Sequence, residues 1–452
     1  MGESDFSRRD FLKTTSLAAA GLAAGPLLAA CGGSAGSTAS TPAGAIPQPR
    51  AGAQIRLLQW VSFVPAADDE IRRQAKEFSD ANNVQVTIET VTGDQLQPKT
   101  AAAVEAGSGP DIIQMQYGWP HLYDTACMDV SDMVDMLKSK LGTINQVNDA
   151  FCKVNGKYLA VPYCQVPNAW TYRTDLWQQA GLSGYFTTWD ELASDGRQLK
   201  SKGLPPIAVS LGHAYGDAIT MWYPVLWDFG GREVSPDGKH VTINSKETMD
   251  AVNWAISTWK SGAISQNTLS WLDPDNNQAY HSGLITATLN GASIYIKETY
   301  TTATNHKFAP VTDNAAMPKG RQGASTLNLI FNHAVMKWTK EEETAKAFIL
   351  HLMDSTNYQK WLNASVGYNA GPFKALSNAD VFQKDTKLKP FLDVVGAGKW
   401  PGWPAQPSKA TAQSQVQFVI VDMFARAVTS GDAKAAITDA EQKLKRIYEL
   451  PA

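Results

Sequence analysis

The chain has 452 residues and a net charge of −3, from 40 basic and 43 acidic side chains, and 44% of its residues are hydrophobic. This near-neutral balance argues against a nucleic-acid-binding protein, which needs a basic surface to displace the counterions of phosphates. The length predicts two or three domains, and the composition excludes disorder for most of the chain. The 14 Trp residues are a surplus that requires either many core positions or an aromatic binding surface.

The N-terminal residues have the pattern of an export signal over residues 1–30. The apolar run 17–30 is interrupted by Gly and Pro and is shorter than the membrane span of about 20 residues. The Arg8-Arg9 pair and its flanks resemble a twin-arginine signal. Leu28-Ala29-Ala30-Cys31 resembles a bacterial lipobox, in which Cys31 receives the lipid. The alternatives are the general export route and a plain signal peptide in which Cys31 has no role.

A flexible tether is expected to follow the signal. Residues 31–52 start with Cys31 and continue with Gly, Ser, Thr, Ala and Pro, without apolar periodicity. A lipid anchor and a tether predict an exported protein held at the outer face of the cell membrane, or on its periplasmic side. No later stretch approaches 18 uninterrupted apolar residues, so we expect no spanning segment.

The next hundred residues alternate between strand and helix patterns. We predict strands at 54–60, 84–88 and 111–115, and helices at 68–81 and 99–106. Such alternation is typical of an α/β protein with a mostly parallel sheet, which binds ligands outside the carboxyl ends of its strands.

The later part of the chain is predicted to be rich in helices. Thr188 and Thr339 each start a capping-box pattern with an acidic residue three positions later. Apolar periodicity predicts further helices at 244–260, 410–428 and 434–448.

Several short motifs together resemble the extracellular solute-binding proteins of ABC transporters, the family that includes maltose- and other sugar-binding proteins. The resemblance extends over nearly all of residues 54–450, and each motif is weak alone. The motifs are the turn and strand at 106–113, the Asn155-Gly156-Lys157 hairpin within 154–163, the Tyr-Arg-Thr-Asp-Leu to Thr-Trp-Asp-Glu-Leu stretch at 172–192, Gly230-Gly231, and Ala-Met-Pro-Lys-Gly at 316–320.

The resemblance implies a two-lobed, type II-like periplasmic-binding-protein fold with the ligand in the cleft between two α/β lobes. Lobe 1 would take residues 53–164 and 312–366, and lobe 2 residues 165–311 and 367–452. The hinges would lie near 164–168 and 311–318. Hinge closure would then produce the shape that the ABC permease subunits in the membrane recognise. We expect a monomer that binds a mono- or oligosaccharide, with no cofactor and no metal.

A sugar site combines aromatic rings, which stack on C–H faces, with polar groups that bond hydroxyls. The predicted polar contacts are Gln59, Gln116, Asp273 and Asn290. The predicted aromatic contacts lie in apparent loops or at element ends and are Trp60, Tyr117, Trp119, Trp222, Trp227, Trp271, Tyr368, Trp400 and Trp403. For most loop Trp residues core packing is an equal alternative, whereas Trp400 and Trp403 have no evident core to join. Core packing is the better interpretation for the helical Trp177, Trp189, Trp254 and Trp259.

Two other functions remain open. The same fold could bind glycerol phosphate or another charged solute, for which Arg173, Arg232 and Arg321 are the candidate cations. A secreted glycan-active enzyme could use Asp273 and Asp275 as its acid pair. The sequence contains no phosphate-binding Gly-x-x-x-x-Gly-Lys-Ser/Thr loop and no His-Glu-x-x-His motif, so we expect a binding protein and not an enzyme.

Three cysteines remain besides Cys31. An oxidising exterior permits one disulfide among Cys127, Cys152 and Cys164, and the sequence leaves all three pairings open.

Overall fold

The computed structural model describes residues 46–300, 307–377 and 379–448. The predicted export signal, the lipobox with Cys31 and most of the tether lie outside these residues. Within the described ranges, no helix is long and apolar enough to cross a membrane.

Ten strands form two main sheets and one short hairpin. They are β1 (Gln54–Trp60), β2 (Gln85–Val91), β3 (Ile112–Gln116), β4 (Lys153–Val154), β5 (Lys157–Tyr158), β6 (Val161–Val166), β7 (Ala169–Arg173), β8 (Ala287–Asn290), β9 (Thr312–Ala315) and β10 (Leu329–Val335).

The first sheet has the order β2-β1-β3-β10-β6. β1 runs parallel to β2 and β3, with Gln54 opposite Gln85 and Trp60 opposite Val91. β10 is antiparallel to both β3 and β6. The predicted mostly parallel sheet is therefore confirmed here, with one reversed strand. β3 and β6 are buried along their whole lengths.

The second sheet has the order β8-β7-β9 and is antiparallel throughout. The alternation of strands and helices over residues 54–115 did not predict this second sheet. The chain passes between the two sheets twice. Pro167 and Asn168 separate β6 from β7, and residues 316–328 connect β9 to β10. The two connections touch, because the Asn168 backbone amide donates to Asn328 Oδ1 at 3.4 Å.

Helices cover both sheets. They are α1 (Pro65–Asn82), α2 (Gly93–Ala106), α3 (Trp119–Leu122), α4 (Ser131–Leu141), α5 (Gln146–Cys152), α6 (Thr174–Gln179), α7 (Trp189–Ser201), α8 (Asp217–Phe229), α9 (Lys246–Ser261), α10 (Asp273–His281), α11 (Ser293–Tyr300), α12 (Glu342–Leu352), α13 (Ser355–Ala364), α14 (Val381–Lys384), α15 (Lys389–Leu392), α16 (Lys409–Val416), α17 (Val419–Ser430) and α18 (Ala433–Tyr448).

Two predictions about helix ends have different outcomes. The capping box at Thr188 is confirmed, since the Thr188 side chain accepts from the Glu191 amide at 3.1 Å and Glu191 accepts from the Thr188 amide. The box at Thr339 is wrong. α12 begins only at Glu342, and the Thr339 hydroxyl instead donates to Asp111 Oδ1 at 2.7 Å.

The predicted single helix at 410–428 is also wrong, because two helices, α16 and α17, occupy this stretch. Phe418 separates them with a φ of 52°. Its ring stacks on His213, with centroids 4.4 Å apart and planes at 8°. The break between α16 and α17 therefore coincides with a contact between residues far apart in the sequence. Local apolar periodicity does not reveal such a contact.

The four helical Trp residues predicted to build the core are buried, as expected: Trp177, Trp189, Trp254 and Trp259. Cys127, Cys152 and Cys164 are all free and buried, so the structure contains none of the three permitted disulfides. Cys152 Sγ instead donates to Asn332 Oδ1 at 2.9 Å.

Candidate functional site

A cavity of about 360 Å³ lies at the carboxyl ends of β1 and β2. It is lined by residues 60–63, which end and follow β1, by Thr92, which lies between β2 and α2, and by Gly93 and Asp94, which begin α2. His213 and residues 272–274, at the start of α10, complete the lining. The volume is within the range of about 300–1,000 Å³ that is typical of small-molecule sites, and the position is the one expected for an α/β sheet.

Trp60 is the main aromatic residue of this cavity. Its backbone amide donates to Gln114 Oε1 at 3.1 Å, and its ring packs edge-on against Phe331 with centroids 5.5 Å apart. A Cβ atom on Gly93 would lie 2.8 Å from the Trp60 ring. The absence of a side chain at Gly93 therefore allows the start of α2 to approach the indole.

Asp273 supplies a carboxylate to the cavity lining and also organises the start of α8. Its Oδ1 atom accepts hydrogen bonds of 2.9 Å from the backbone amides of Gly216 and Asp217. Carboxylates stabilise helix N-termini because the first amides of a helix lack partners and carry partial positive charge. Burial raises the pKa of Asp273 above its usual value.

Asp217, the first residue of α8, contacts Asp273 through its backbone amide and does not itself line the cavity. Its side chain is 7% exposed, and its Oδ2 atom is buried without a hydrogen-bond partner. Burial and the neighbouring Asp273 carboxylate raise the pKa of Asp217 well above its usual value. Asp217 was not among the residues predicted from sequence.

Tyr117, directly after β3, connects the first sheet to the segment before α8. Its hydroxyl donates to the backbone oxygen of Tyr215 at 2.7 Å, and Trp119 packs edge-on against the Tyr215 ring. Tyr117 has a φ of 46°, a left-handed conformation that costs about 1–2 kcal/mol for residues other than Gly. Strained residues of this kind cluster at binding sites.

Tyr368 and Asn290 lie where the end of the second sheet meets the first. A Cβ atom on Gly291, after β8, would be 2.6 Å from Val166 of β6 and 3.0 Å from the Tyr368 ring. The side-chain Nδ2 of Asn290 donates to Asn277 Oδ1 at 2.6 Å and to Ser293 Oγ at 3.1 Å. The contact at Gly291 thus lets the two sheets approach closely.

Two predicted glutamines lie close to this region. Gln59 and Tyr368 line a cavity of about 30 Å³ that shares Trp60 with the larger one, and Gln59 Oε1 is buried without a partner. Gln116 is fully buried, and neither atom of its amide group has a partner. The structure therefore brings Gln59, Trp60 and Asp273 to two adjoining cavities.

Three further predicted Trp residues have other surroundings. Trp222 and Trp227 lie inside α8 and are buried, which corrects their assignment to loops or element ends. Trp222 donates to the Ser210 backbone oxygen at 2.8 Å and packs on Phe424. Trp271 does lie in the loop before α10, where it packs against a small apolar cluster.

Trp400 and Trp403 do have a core to join, contrary to the premise of their prediction. Trp400 is 1% exposed and donates to the Ala405 backbone oxygen at 2.7 Å, and Trp403 packs edge-on against it. Trp400 also borders a separate cavity of about 660 Å³ between α5 and the start of α16. The two Trp residues are therefore not among those that line the cavity of Trp60.

Sequence reasoning missed Phe63, Asp94, His213 and Asp217. Phe63 lies shortly after the end of β1, and Asp94 lies shortly after the end of β2. This position after a strand was the signal that the sequence offered for both residues. For His213 the sequence offers no signal, because its role depends on Asp422, whose Oδ1 lies 2.8 Å from His213 Nε2. That hydrogen bond raises the pKa of His213.

The cavity has few charged groups, and they are mainly acidic. Among the described residues, its ionisable lining consists of Asp94, His213 and Asp273, with neither Lys nor Arg. Arg173 instead pairs with Asp175, and Arg321 pairs with Asp250. No group of three or more His, Cys, Asp or Glu side chains within the described ranges could hold a metal ion.

Comparison with known proteins identifies the family. Residues 65–364 match the sequence profile described as bacterial extracellular solute-binding protein. A binding protein of Brucella abortus (strain 2308) is 21% identical over 343 residues, which cover 73% of this chain and 80% of that protein.

Solved structures show the same fold. A sugar transporter from Arthrobacter chlorophenolicus A6 with bound laminaribiose has a TM-score of 0.74 at 18% identity, covering 88% of this chain and 100% of that chain. Maltose-bound MalE3 from T. maritima has a TM-score of 0.72 at 19% identity, with the same coverage. These matches confirm the predicted two-lobed α/β fold, and the chain belongs to the bacterial extracellular solute-binding protein family.

Proposed function

We propose that this protein is the substrate-binding component of an ABC importer and that it binds a mono- or oligosaccharide in the cavity lined by Trp60 and Asp273. One observation carries the proposal. The cavity is lined by both the indole of Trp60 and the carboxylate of Asp273, at the carboxyl ends of two parallel strands. An aromatic ring can stack on the C–H face of a sugar, and a carboxylate accepts from its hydroxyls.

The bound ligands of the structural neighbours support a carbohydrate. The two solved structures described above contain laminaribiose and maltose, which are both disaccharides. The cavity here is near the lower end of the range for small-molecule sites, which favours one or two sugar rings. The carboxylates of Asp94 and Asp273 in its described lining argue against glycerol phosphate, since they would repel a phosphate.

We further propose that binding closes two lobes around the ligand. In this proposal lobe 1 contains the first sheet and lobe 2 the second, so residues 312–315, expected in lobe 1, belong to lobe 2 because β9 pairs with β7. The short connection at Pro167 and Asn168 and the longer one within 316–328 are the segments that would bend. The closed form, a monomer in this proposal, would then be recognised by the permease subunits.

The proposed location is the outer side of the cell membrane. Cys31 would carry the lipid, and residues 32–52 would hold the binding domain away from the bilayer. Metabolic labelling with a radioactive fatty acid tests this, because Cys31→Ser must abolish the label. Labelling that persists in the variant would contradict the anchor.

Isothermal titration calorimetry tests the ligand class. The protein is titrated with glucose, maltose, cellobiose and laminaribiose, and separately with glycerol 3-phosphate. We expect at least one carbohydrate to bind with a micromolar Kd. Binding of glycerol 3-phosphate together with failure of every carbohydrate would replace the proposal with the charged-solute alternative. Release of reducing ends from the oligosaccharides would instead indicate an enzyme.

A further inference from the structure

We propose that the cavity of about 30 Å³ beside Trp60, the inner cavity, is a subsite for the exocyclic hydroxymethyl group of a hexose, so that the protein selects hexoses over pentoses. The inference rests on the proposed function and narrows its ligand class. Three observations support it: the inner cavity adjoins the larger one, its volume matches a hydroxymethyl group, and two of its lining residues carry buried polar atoms without a partner.

The inner cavity adjoins the cavity in which we place the sugar ring. Trp60, Val61 and Ser62, which end and follow β1, line both cavities. A sugar ring stacked on Trp60 would therefore lie next to the inner cavity. An exocyclic group is the part of such a sugar that can extend into it.

The volume of the inner cavity limits what can enter it. About 10–15 Å³ of cavity volume is enough for one water molecule, so the volume of about 30 Å³ accommodates two non-hydrogen atoms. A hydroxymethyl group has two such atoms, one carbon and one oxygen. A second sugar ring is too large. The hydroxymethyl group would take the place that water can occupy in the free protein.

The side chain of Gln59, in β1, points toward α1 and forms part of the lining. Its Nε2 atom donates to Asp68 Oδ1 of α1 at 3.3 Å, and both residues line the inner cavity. Side chains alternate along a strand, so the register of Leu57 opposite Ile112 places Gln114 of β3 on the same face as Gln59. Gln114 also lines the inner cavity. The inner cavity therefore lies on the face of the first sheet that α1 covers.

Two lining residues carry buried polar atoms that have no partner within the described part of the chain. They are Gln59 Oε1, which needs a donor, and Trp361 Nε1 of α13, which needs an acceptor. Gln59 is 1% exposed and Trp361 is 4% exposed. A buried polar atom without a partner is unfavourable, and a hydroxyl can both donate and accept. A hydroxyl supplied by the ligand would therefore offset a cost that the free protein bears.

The charge of the inner cavity favours a neutral group. Asp68 is buried, and both of its carboxylate oxygens have donors, since the Ser62 backbone amide donates to Oδ2 at 2.9 Å and Gln59 donates to Oδ1. The lining, as far as the structure describes it, contains no Lys, Arg or His. The carboxylate of a uronic acid, which replaces the hydroxymethyl group on the same ring carbon, would be repelled by Asp68.

The test compares matched sugars that differ in the hydroxymethyl group. Glucose is compared with xylose, and cellobiose with xylobiose, by calorimetry with the wild-type protein. We expect the hexose sugar of at least one pair to bind fivefold or more tightly than its pentose counterpart. Gln59→Leu should bring the two Kd values of that pair to within twofold. Gln85→Leu, at an exposed site in β2, is the matched control and should keep the preference.

The possible results separate the two proposals. A preference of less than fivefold in every pair that binds would overturn the hydroxymethyl subsite and leave the carbohydrate function standing, and this measurement does not require the variant to fold. A preference that stays at fivefold or more in Gln59→Leu would also overturn it, because the hydroxymethyl group would then be bound elsewhere. Failure of all four sugars would overturn the subsite and contradict the carbohydrate function as well.

Discussion

The Tyr117 hydroxyl donates a hydrogen bond of 2.7 Å to the backbone oxygen of Tyr215, and this bond joins the end of the first sheet to the segment before α8. Tyr117 is fully buried, so the bond is shielded from water. If the two lobes separate when the cleft opens, this contact must break. It therefore contributes to the stability of the closed form and, through that form, to ligand affinity.

Tyr117→Phe should weaken ligand binding by about 2- to 12-fold, because a typical hydrogen bond contributes about 0.5–1.5 kcal/mol. Calorimetry with a carbohydrate that binds the wild-type protein measures the change. Tyr123→Phe is the matched control, since the Tyr123 hydroxyl accepts from Gln97, which belongs to the same proposed lobe. Equal affinity losses in the two variants would exclude a specific role for the Tyr117 contact.

Trp60→Ala and Trp222→Ala should separate binding from stability. Trp60 lines the cavity, so its loss should reduce affinity more than tenfold, with a stacked aromatic worth about 0.5–1.5 kcal/mol beyond its buried area. Trp222 is fully buried in α8, so its loss should lower the free energy of unfolding by about 3–5 kcal/mol. Ligand titration and urea unfolding of both variants measure the two effects. An unchanged affinity in Trp60→Ala would remove Trp60 from the site.

Glu233→Gln should flatten the pH dependence of stability. Glu233 is fully buried and accepts from Tyr223, Gly402 and Ser414, and burial raises its pKa to about 7. At pH values between the pKa of Glu233 in the unfolded chain and its pKa in the folded protein, the folded state binds more protons than the unfolded state. The contribution of Glu233 to the free energy of unfolding therefore falls as the pH rises.

Urea unfolding at about pH 5 and about pH 8 measures this dependence. The loss of stability over that interval should be smaller in Glu233→Gln than in the wild type, by about 1.4 kcal/mol for each unit of pKa shift. Comparing the two proteins cancels the groups that titrate in both. An identical loss in the variant would mean that Glu233 does not hold a proton at neutral pH.

Cys127, Cys152 and Cys164 should be unreactive in the folded protein and react as three thiols after denaturation without reductant. All three are buried, and burial raises the pKa of Cys127 to about 12, which suppresses the reactive thiolate. Titration with a thiol reagent in a chain carrying Cys31→Ser counts them. One reactive thiol after denaturation would indicate a disulfide between the other two.

Local patterns predicted β1, β2, β3 and the start of α7 well, because each depends on nearby residues. The strand at 54–60 agrees with β1, and the Thr188 capping box requires only Glu191. The sequence patterns did not predict α8, because its buried residues lie on every face and so leave no apolar periodicity. Pro224, which lies inside the helix, also argued against a helix there. Its ends did carry a signal, with Asp217 in the first turn and Gly230 after the last.

The candidate site was predicted only in part, because its geometry depends on contacts between distant segments. Trp60 and Asp273 were found from residue type and position. The significance of Asp217 depends on Asp273, which is 56 residues further along the chain. Trp400 and Trp403 resembled cleft residues because Pro and Gly interrupt their segment, yet Trp400 belongs to the main apolar core.

A crystal structure with the tightest-binding sugar of the calorimetric panel tests the central claim most directly. We predict that the sugar contacts both Trp60 and Asp273, with the ring face on the indole and a polar group within 3.2 Å of an Asp273 carboxylate oxygen. Density for the sugar in the cavity beside Trp400, with the space at Trp60 empty, would contradict the proposed site.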